Sequence, residues 1–180
     1  MRIFGVDPGS RRTGYGCIET EGSRHRVIVC GALAPPGGST FPEKLVALHR
    51  GLTDLLTRHQ PETLAIEDLF YAKNARSVSK LGHVRGVLML AAAQAGVPIS
   101  EYSPTEVKCA VVGYGRAEKE QVQHMVTLLL GLDEVPSPLD VSDALAVAIC
   151  HSHSLGPIEQ RRPRTSGSWR RYRPGPGGGL

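Results

Sequence analysis

Arg2-Ile3-Phe4-Gly5-Val6-Asp7-Pro8-Gly9, with Thr13-Gly14-Tyr15-Gly16 close behind, opens the chain with a short apolar run that stops on a carboxylate at a turn. Residues 14–19 and 26–32 are two more β-rich stretches, and turn residues separate all three. There is no room between them for crossover helices, so these strands are predicted to pair as an antiparallel meander.

Beyond Pro35-Pro36-Gly37-Gly38 the apolar period lengthens: Leu45, Leu48, Leu52, Leu55 and Leu56 recur at three and four residues, which predicts an amphipathic helix over 42–59 that ends before Pro61. A strand is expected at 63–67, Leu64-Ala65-Ile66 closing on Glu67, then a long helix over 77–95 with Leu81, Val84, Leu88 and Ala92 along one side. A strand at 97–102 and helices at 105–112 and 117–130 follow. The apolar run Ala144-Leu145-Ala146-Val147-Ala148-Ile149 makes 140–151 a buried helix. Three meander strands and then alternating helices and strands is the order of an α/β ribonuclease H-like fold, a mixed five-stranded sheet with flanking helices.

The 180 residues suit a single core plus a tail. No apolar run is long enough to span a bilayer and no signal peptide is evident, so a soluble, cytoplasmic protein is expected. Cys17, Cys30, Cys109 and Cys150 lack the close spacing of zinc or redox pairs and read as reduced thiols. His151 and His153 stand two apart, a poor spacing for metal ligands on a helix. Residues 155–180 hold Arg161, Arg162, Arg164, Arg170, Arg171 and Arg173 against the single acid Glu159, so the chain's net +4 resides in this segment and the body, 1–154, is close to neutral. Its Arg, Pro and Gly content predicts a disordered basic tail, in which Trp169 and Tyr172 among the arginines suit contact with nucleic acid.

Four carboxylates carry the functional argument. Asp7 and Glu67 each end an apolar strand, and Asp140 and Asp143 lie three apart at a helix start, about 60° apart around its axis. Such a cluster requires cations. Hard oxygen ligands suit Mg²⁺ or Mn²⁺, and two such ions can hydrolyse a phosphodiester. Each acid also has a plain structural role available: a turn at Asp7-Pro8-Gly9, a solvated strand end at Glu67, a helix cap at Asp140 with Asp143 in the first turn. Adjacent Glu67 and Asp68 face opposite sides of an extended strand; the pattern that pairs Ala65 with Glu67 favours Glu67, and a bulge would reverse the choice.

Asp7-Pro8-Gly9-Ser10 with Thr13-Gly14-Tyr15-Gly16, Ala65-Ile66-Glu67 with Phe70, Ala72-Lys73-Asn74 and Lys80-Leu81-Gly82, Val111-Val112-Gly113 leading to Gln121-Val122-Gln123-His124-Met125, and Asp143-Ala144-Leu145-Ala146 together resemble the RuvC family of Holliday-junction resolvases. The likeness runs over about residues 2–153. It implies a homodimeric endonuclease, dependent on Mg²⁺ or Mn²⁺, that nicks opposed strands of a four-way DNA junction at thymine-containing sequences and cooperates with the RuvA–RuvB branch-migration complex. It implies catalytic and metal-ligating roles for Asp7, Glu67, Asp140 and Asp143, basic residues near the scissile strand at Lys108 and Lys119, and a junction-centre aromatic at Phe70. Lys73, Arg76 and Lys80 are further candidate DNA contacts. Asp68 stands where the family pattern leads one to expect a neutral residue, and the tail lies outside the resemblance.

Two fold-mates compete. An actin-like phosphotransferase needs a second Asp-x-Gly phosphate loop and an adenosine domain, neither recognisable here, and a non-catalytic junction-binding scaffold has no need of all four acids. The two-fold symmetry of a junction favours a dimer, with the helix at 77–95 and its small residues Gly82, Gly86, Ala91, Ala92 and Ala93 as the candidate interface.

Overall fold

The computed structural model describes residues 1–68 and 75–155. Among these, five strands form one sheet: β1 (Arg2–Asp7), β2 (Thr13–Glu21), β3 (Arg24–Leu33), β4 (Thr63–Glu67) and β5 (Ile99–Tyr102), in the order β3-β2-β1-β4-β5. β1, β2 and β3 pair antiparallel as a meander, and β1, β4 and β5 run parallel. Parallel neighbours need crossovers, which α1 (Phe41–His59) and α2 (Ala75–Gln94) supply. α3 (Pro104–Val112), α4 (Lys119–Leu129) and α5 (Leu139–Ser154) complete the chain. No described helix is long and apolar enough to cross a membrane.

Strand alternation sorts the core into two layers. Phe4, Val6, Leu64 and Ile66 pack with Leu48, Leu52 and Leu56 of α1 and Val84, Leu88, Ala91 and Ala92 of α2. Ile3, Ile18 and Ala65 face the other way, onto α5 and the buried residues of α3 and α4. α5 lies very close to the sheet because the strands beneath it are bare: a Cβ at Gly5 would strike the carbonyl of Ala144, one at Gly14 the carbonyl of Asp140, and one at Gly16 the side chain of Leu145. Gly14 is the cross-strand partner of Asp7. The glycines therefore set α5's first turn beside the end of β1.

Several element ends differ from expectation by one to three residues, and three departures have an evident physical cause. The strand expected from residue 97 starts at Ile99, because Pro98 has no N–H to donate and offers only its carbonyl, which Leu64 N–H meets at 2.8 Å. The helix expected from residue 117 starts at Lys119, since Glu118 and Gln121 form a capping box that leaves Ala117 buried outside it. Of the small residues assigned to a dimer interface, Ala91 and Ala92 are fully buried against the sheet, while Gly86, Leu90 and Ala93 of the same helix are exposed.

The close seating of α5 has a direct test. Gly14→Ala is expected to destabilise the fold by about 1–3 kcal/mol, the usual cost of overpacking a core, measured by thermal or denaturant unfolding. Gly22→Ala serves as the comparison, since its Cβ would meet nothing within 4 Å and any loss there comes from the φ of +60°. Wild-type stability in Gly14→Ala would contradict the packing described.

Candidate active site

Asp7 and Glu67 end neighbouring parallel strands, in register where Val6 pairs with Ile66, and both share the face that carries Ile3 and Ala65 towards α5. Their carboxyl groups are hydrogen-bonded to each other. Burial, then the charge of Glu67 and that of Asp143, push the Asp7 carboxyl up to about 9. Burial also raises Glu67, although its hydrogen bond with Asp7 opposes the shift. Asp7 thus holds a proton at neutral pH and donates it to Glu67.

α5 contributes from the opposite side. Asp143 Oδ2 accepts from Lys119 Nζ at 2.9 Å, and that bond raises the lysine's pKa, keeping it cationic. Lys119 begins α4, and its charge is felt by both Asp7 and Glu67. Lys108 of α3 also bears on Glu67. Asp140, whose backbone packs on Gly14, pairs with Arg12 at 3.8 Å. The N-cap of α5 is Pro138, so Asp140 lies in the first turn rather than at the cap. Arg12 belongs to the loop after Asp7, where Thr13 Oγ1 accepts from Gly9 N–H and donates to Gly9 O, closing the turn between β1 and β2. An open cleft of about 440 Å³ lies there, lined by Gly9, Ser10, Arg11, Arg12 and Asp140.

Among the described residues, no three His, Cys, Asp or Glu side chains are drawn together as a formed metal cage. The donor set nevertheless fits a hard divalent cation: two buried carboxyls share one proton, a third carboxylate acts on both, and the charge that balances them comes from a lysine.

Of the other residues singled out in the sequence, Arg76 lies exposed in the first turn of α2, and Lys80 places its ammonium 5.8 Å from the ring centroid of Phe41. Phe70, Lys73 and the tail beyond residue 155 lie outside the described residues. His151 Nδ1 is 2.8 Å from the Tyr102 hydroxyl and His153 Nδ1 is 3.1 Å from the Ala110 carbonyl, so both histidines are engaged away from the acids. Arg12 and Arg85, which touch this site, carried no sequence signal: one sits in a turn and the other is far along the chain from the strand it contacts.

Residues 3–151 match the family model for the crossover junction endodeoxyribonuclease RuvC. The chain belongs to the RuvC family. RuvC of Caldanaerobacter subterraneus subsp. tengcongensis is 51% identical over 160 residues, covering 89% of this chain and 97% of that protein. RuvC of Moorella thermoacetica is 47% identical over 167 residues, covering 93% and 99%. In structure, Thermus thermophilus RuvC in complex with a Holliday junction superposes with a TM-score of 0.80 at 33% identity, covering 84% of this chain and 93% of that one. The ribonuclease H-like α/β fold expected from the sequence is thus that of the RuvC resolvases.

A buried carboxyl with a raised pKa works against folding once the unfolded chain ionises. Between pH 3.8 and about 9 the folded RuvC-type site retains on Asp7 a proton that the unfolded chain releases, so stability falls as pH rises through that window. Asp7→Asn keeps an N–H donor to Glu67 and removes this penalty. In chelator it is expected to be more stable than wild type at pH 8 by at least about 1 kcal/mol, given about 1.4 kcal/mol per unit, with the gap closing towards pH 4. Thermal melts across pH would show it; a variant less stable than wild type at pH 8 contradicts the shared proton.

Proposed function

We propose that the chain, a crossover junction endodeoxyribonuclease by family, cuts four-way DNA junctions by paired, symmetric phosphodiester hydrolysis at the Asp7–Glu67–Asp140–Asp143 edge. Junction resolution of this kind serves homologous recombination and DNA repair. The observation that carries the reading is a hydrogen-bonded pair of strand carboxyls at one edge of the sheet, within electrostatic reach of Asp143 and Lys119 from separate helices. Asp7, Glu67, Asp140 and Asp143 would hold Mg²⁺ or Mn²⁺, two ions per site. Such ions supply Lewis acidity at the phosphate and lower the pKa of the attacking water.

The chain's own residues account for the remainder. Lys119 and Lys108 place fixed positive charge where the phosphate gains negative charge in the transition state, and no reorganisation is needed at that moment. Arg11 and Arg12, exposed in the β1–β2 loop, offer guanidinium groups to the backbone of the approaching strand. The apolar body of the sheet beneath Asp7 keeps the carboxyls in a medium where these charges act strongly.

A junction presents two equivalent strands, so two sites related by a two-fold axis are needed, which supports a homodimer. The exposed Gly86, Leu90 and Ala93 on α2 supply a face of suitable character. Family membership supports cooperation with RuvA–RuvB, and four free thiols suit a reducing cytoplasm.

The test is single-turnover cleavage of a synthetic four-way junction, with linear duplex as control. Wild type is expected to nick the junction symmetrically with Mg²⁺ or Mn²⁺ and to spare the duplex. Glu67→Gln, Asp140→Asn and Asp143→Asn should each slow cleavage on the order of 100-fold or more, with junction affinity nearly unchanged because phosphate contacts elsewhere supply it. Lys119→Met should lower the rate more than the affinity. Wild-type rates in the carboxylate variants, or equal cutting of linear duplex, would refute the assignment.

A further inference from the structure

Glu67 and Asp68 put two carboxylates side by side at the free end of a strand. Glu67 pairs with Tyr102 of β5, and the final ladder bond runs from Asp68 N–H to Tyr102 O at 2.7 Å. Alternation sends Glu67 to the α5 face, where it meets Asp7, and Asp68 to the α2 face. At a strand end a one-residue bulge costs little and exchanges the two faces. Nothing in the strand itself forbids Asp68 from taking the site.

α2 supplies the constraint. Arg85 Nε donates to the backbone carbonyl of Glu67 at 3.2 Å, and its terminal nitrogen meets Asp68 Oδ1 at 3.4 Å and the carboxylate of Glu101 on β5. The Arg85 side chain is only 13% exposed, whereas those of Asp68 and Glu101 are 52% and 49% exposed. A planar guanidinium spreads its donors over a rigid fork and so reaches three acceptors on two strands at once, where a lysine offers its donors from a single point.

We propose that Arg85 is a positioning residue for cleavage: by clamping the Glu67 carbonyl and the Asp68 carboxylate together, it presents Glu67 alone to Asp7 and holds Asp68 out of the metal-binding edge. Asp68 is then tolerated beside Glu67 because Arg85 gives it a partner on the far face. Glu101 anchors the guanidinium from the next strand. The role rests on Glu67 being a catalytic carboxylate, and Arg85 touches neither the phosphate nor the attacking water.

The experiment compares Arg85→Gln, Glu101→Gln, Asp68→Asn and the double variant Asp68→Asn/Arg85→Gln in single-turnover junction cleavage over a Mn²⁺ titration. Melting curves and metal-free junction binding are measured in parallel. Arg85→Gln is expected to cleave at least tenfold more slowly and to need several-fold more Mn²⁺ for half-maximal rate, with unchanged junction affinity. Asp68→Asn alone should cleave normally, and in the double variant it should restore several-fold of the lost rate, since the competing acid is gone. Glu101→Gln lies at the surface and leaves α2 packing intact, so it keeps the test open should Arg85→Gln fold poorly; it should show the same Mn²⁺ shift to a smaller degree. A loss that Asp68→Asn does not relieve, or wild-type Mn²⁺ dependence in both Arg85→Gln and Glu101→Gln, overturns the clamp. Glu67→Gln run alongside separates the two readings: a wild-type rate there removes the catalytic role on which the clamp rests, whereas an inactive Glu67→Gln beside an unaffected Arg85→Gln overturns the clamp alone.

Discussion

The distance between α5 and the sheet governs the arrangement of the acidic edge. Gly5, Gly14 and Gly16 present no side chains to α5, and the Ala144 and Asp140 backbone occupies the space that Cβ atoms would take. A helix seated at ordinary distance would hold Asp140 and Asp143 away from Asp7. Seated this low, it places Asp143 where its charge acts on both strand carboxyls. Ala144 and Ala148, four apart on one face of α5 and both fully buried, are the matching half of that contact.

Bringing acids together creates an electrostatic debt that the fold meets with cations from different elements. Lys119 at the start of α4 faces Asp143, Arg12 from the β1–β2 loop faces Asp140, and Arg85 from α2 faces Asp68. Asp7 and Glu67, buried in the edge, have no ion pair of their own among the described residues and share a proton. An edge that is held together partly by protonation and partly by its own lysine and arginine is one suited to exchanging those charges for metal and phosphate.

Much of this was legible in the sequence where the signal is local. Period-two alternation in Leu64-Ala65-Ile66-Glu67 put Glu67 on the face of Ala65, and the structure places both towards α5. The short spacing of the first three strands required a meander, and β1, β2 and β3 form one. Signals that depend on tertiary neighbours were not legible. Small residues on α2 look alike whether they face a partner or the core, and Ala91 and Ala92 face the core. Asp140 resembles an N-cap until Pro138 is seen to occupy that place. Arg85 carries no motif, because its meaning lies in two strands that only folding brings to it.

The most direct test of this account is whether strand and helix acids serve one shared cation site. Mn²⁺ binding to wild type, Asp7→Asn and Asp143→Asn, followed by electron paramagnetic resonance of the free ion without DNA, measures it. Saturable binding in wild type that is strongly weakened by removing either the β1 acid or the α5 acid is the result expected. Wild-type affinity in either variant would contradict the claim that α5 is seated on the glycines so that its carboxylates join those of the strands.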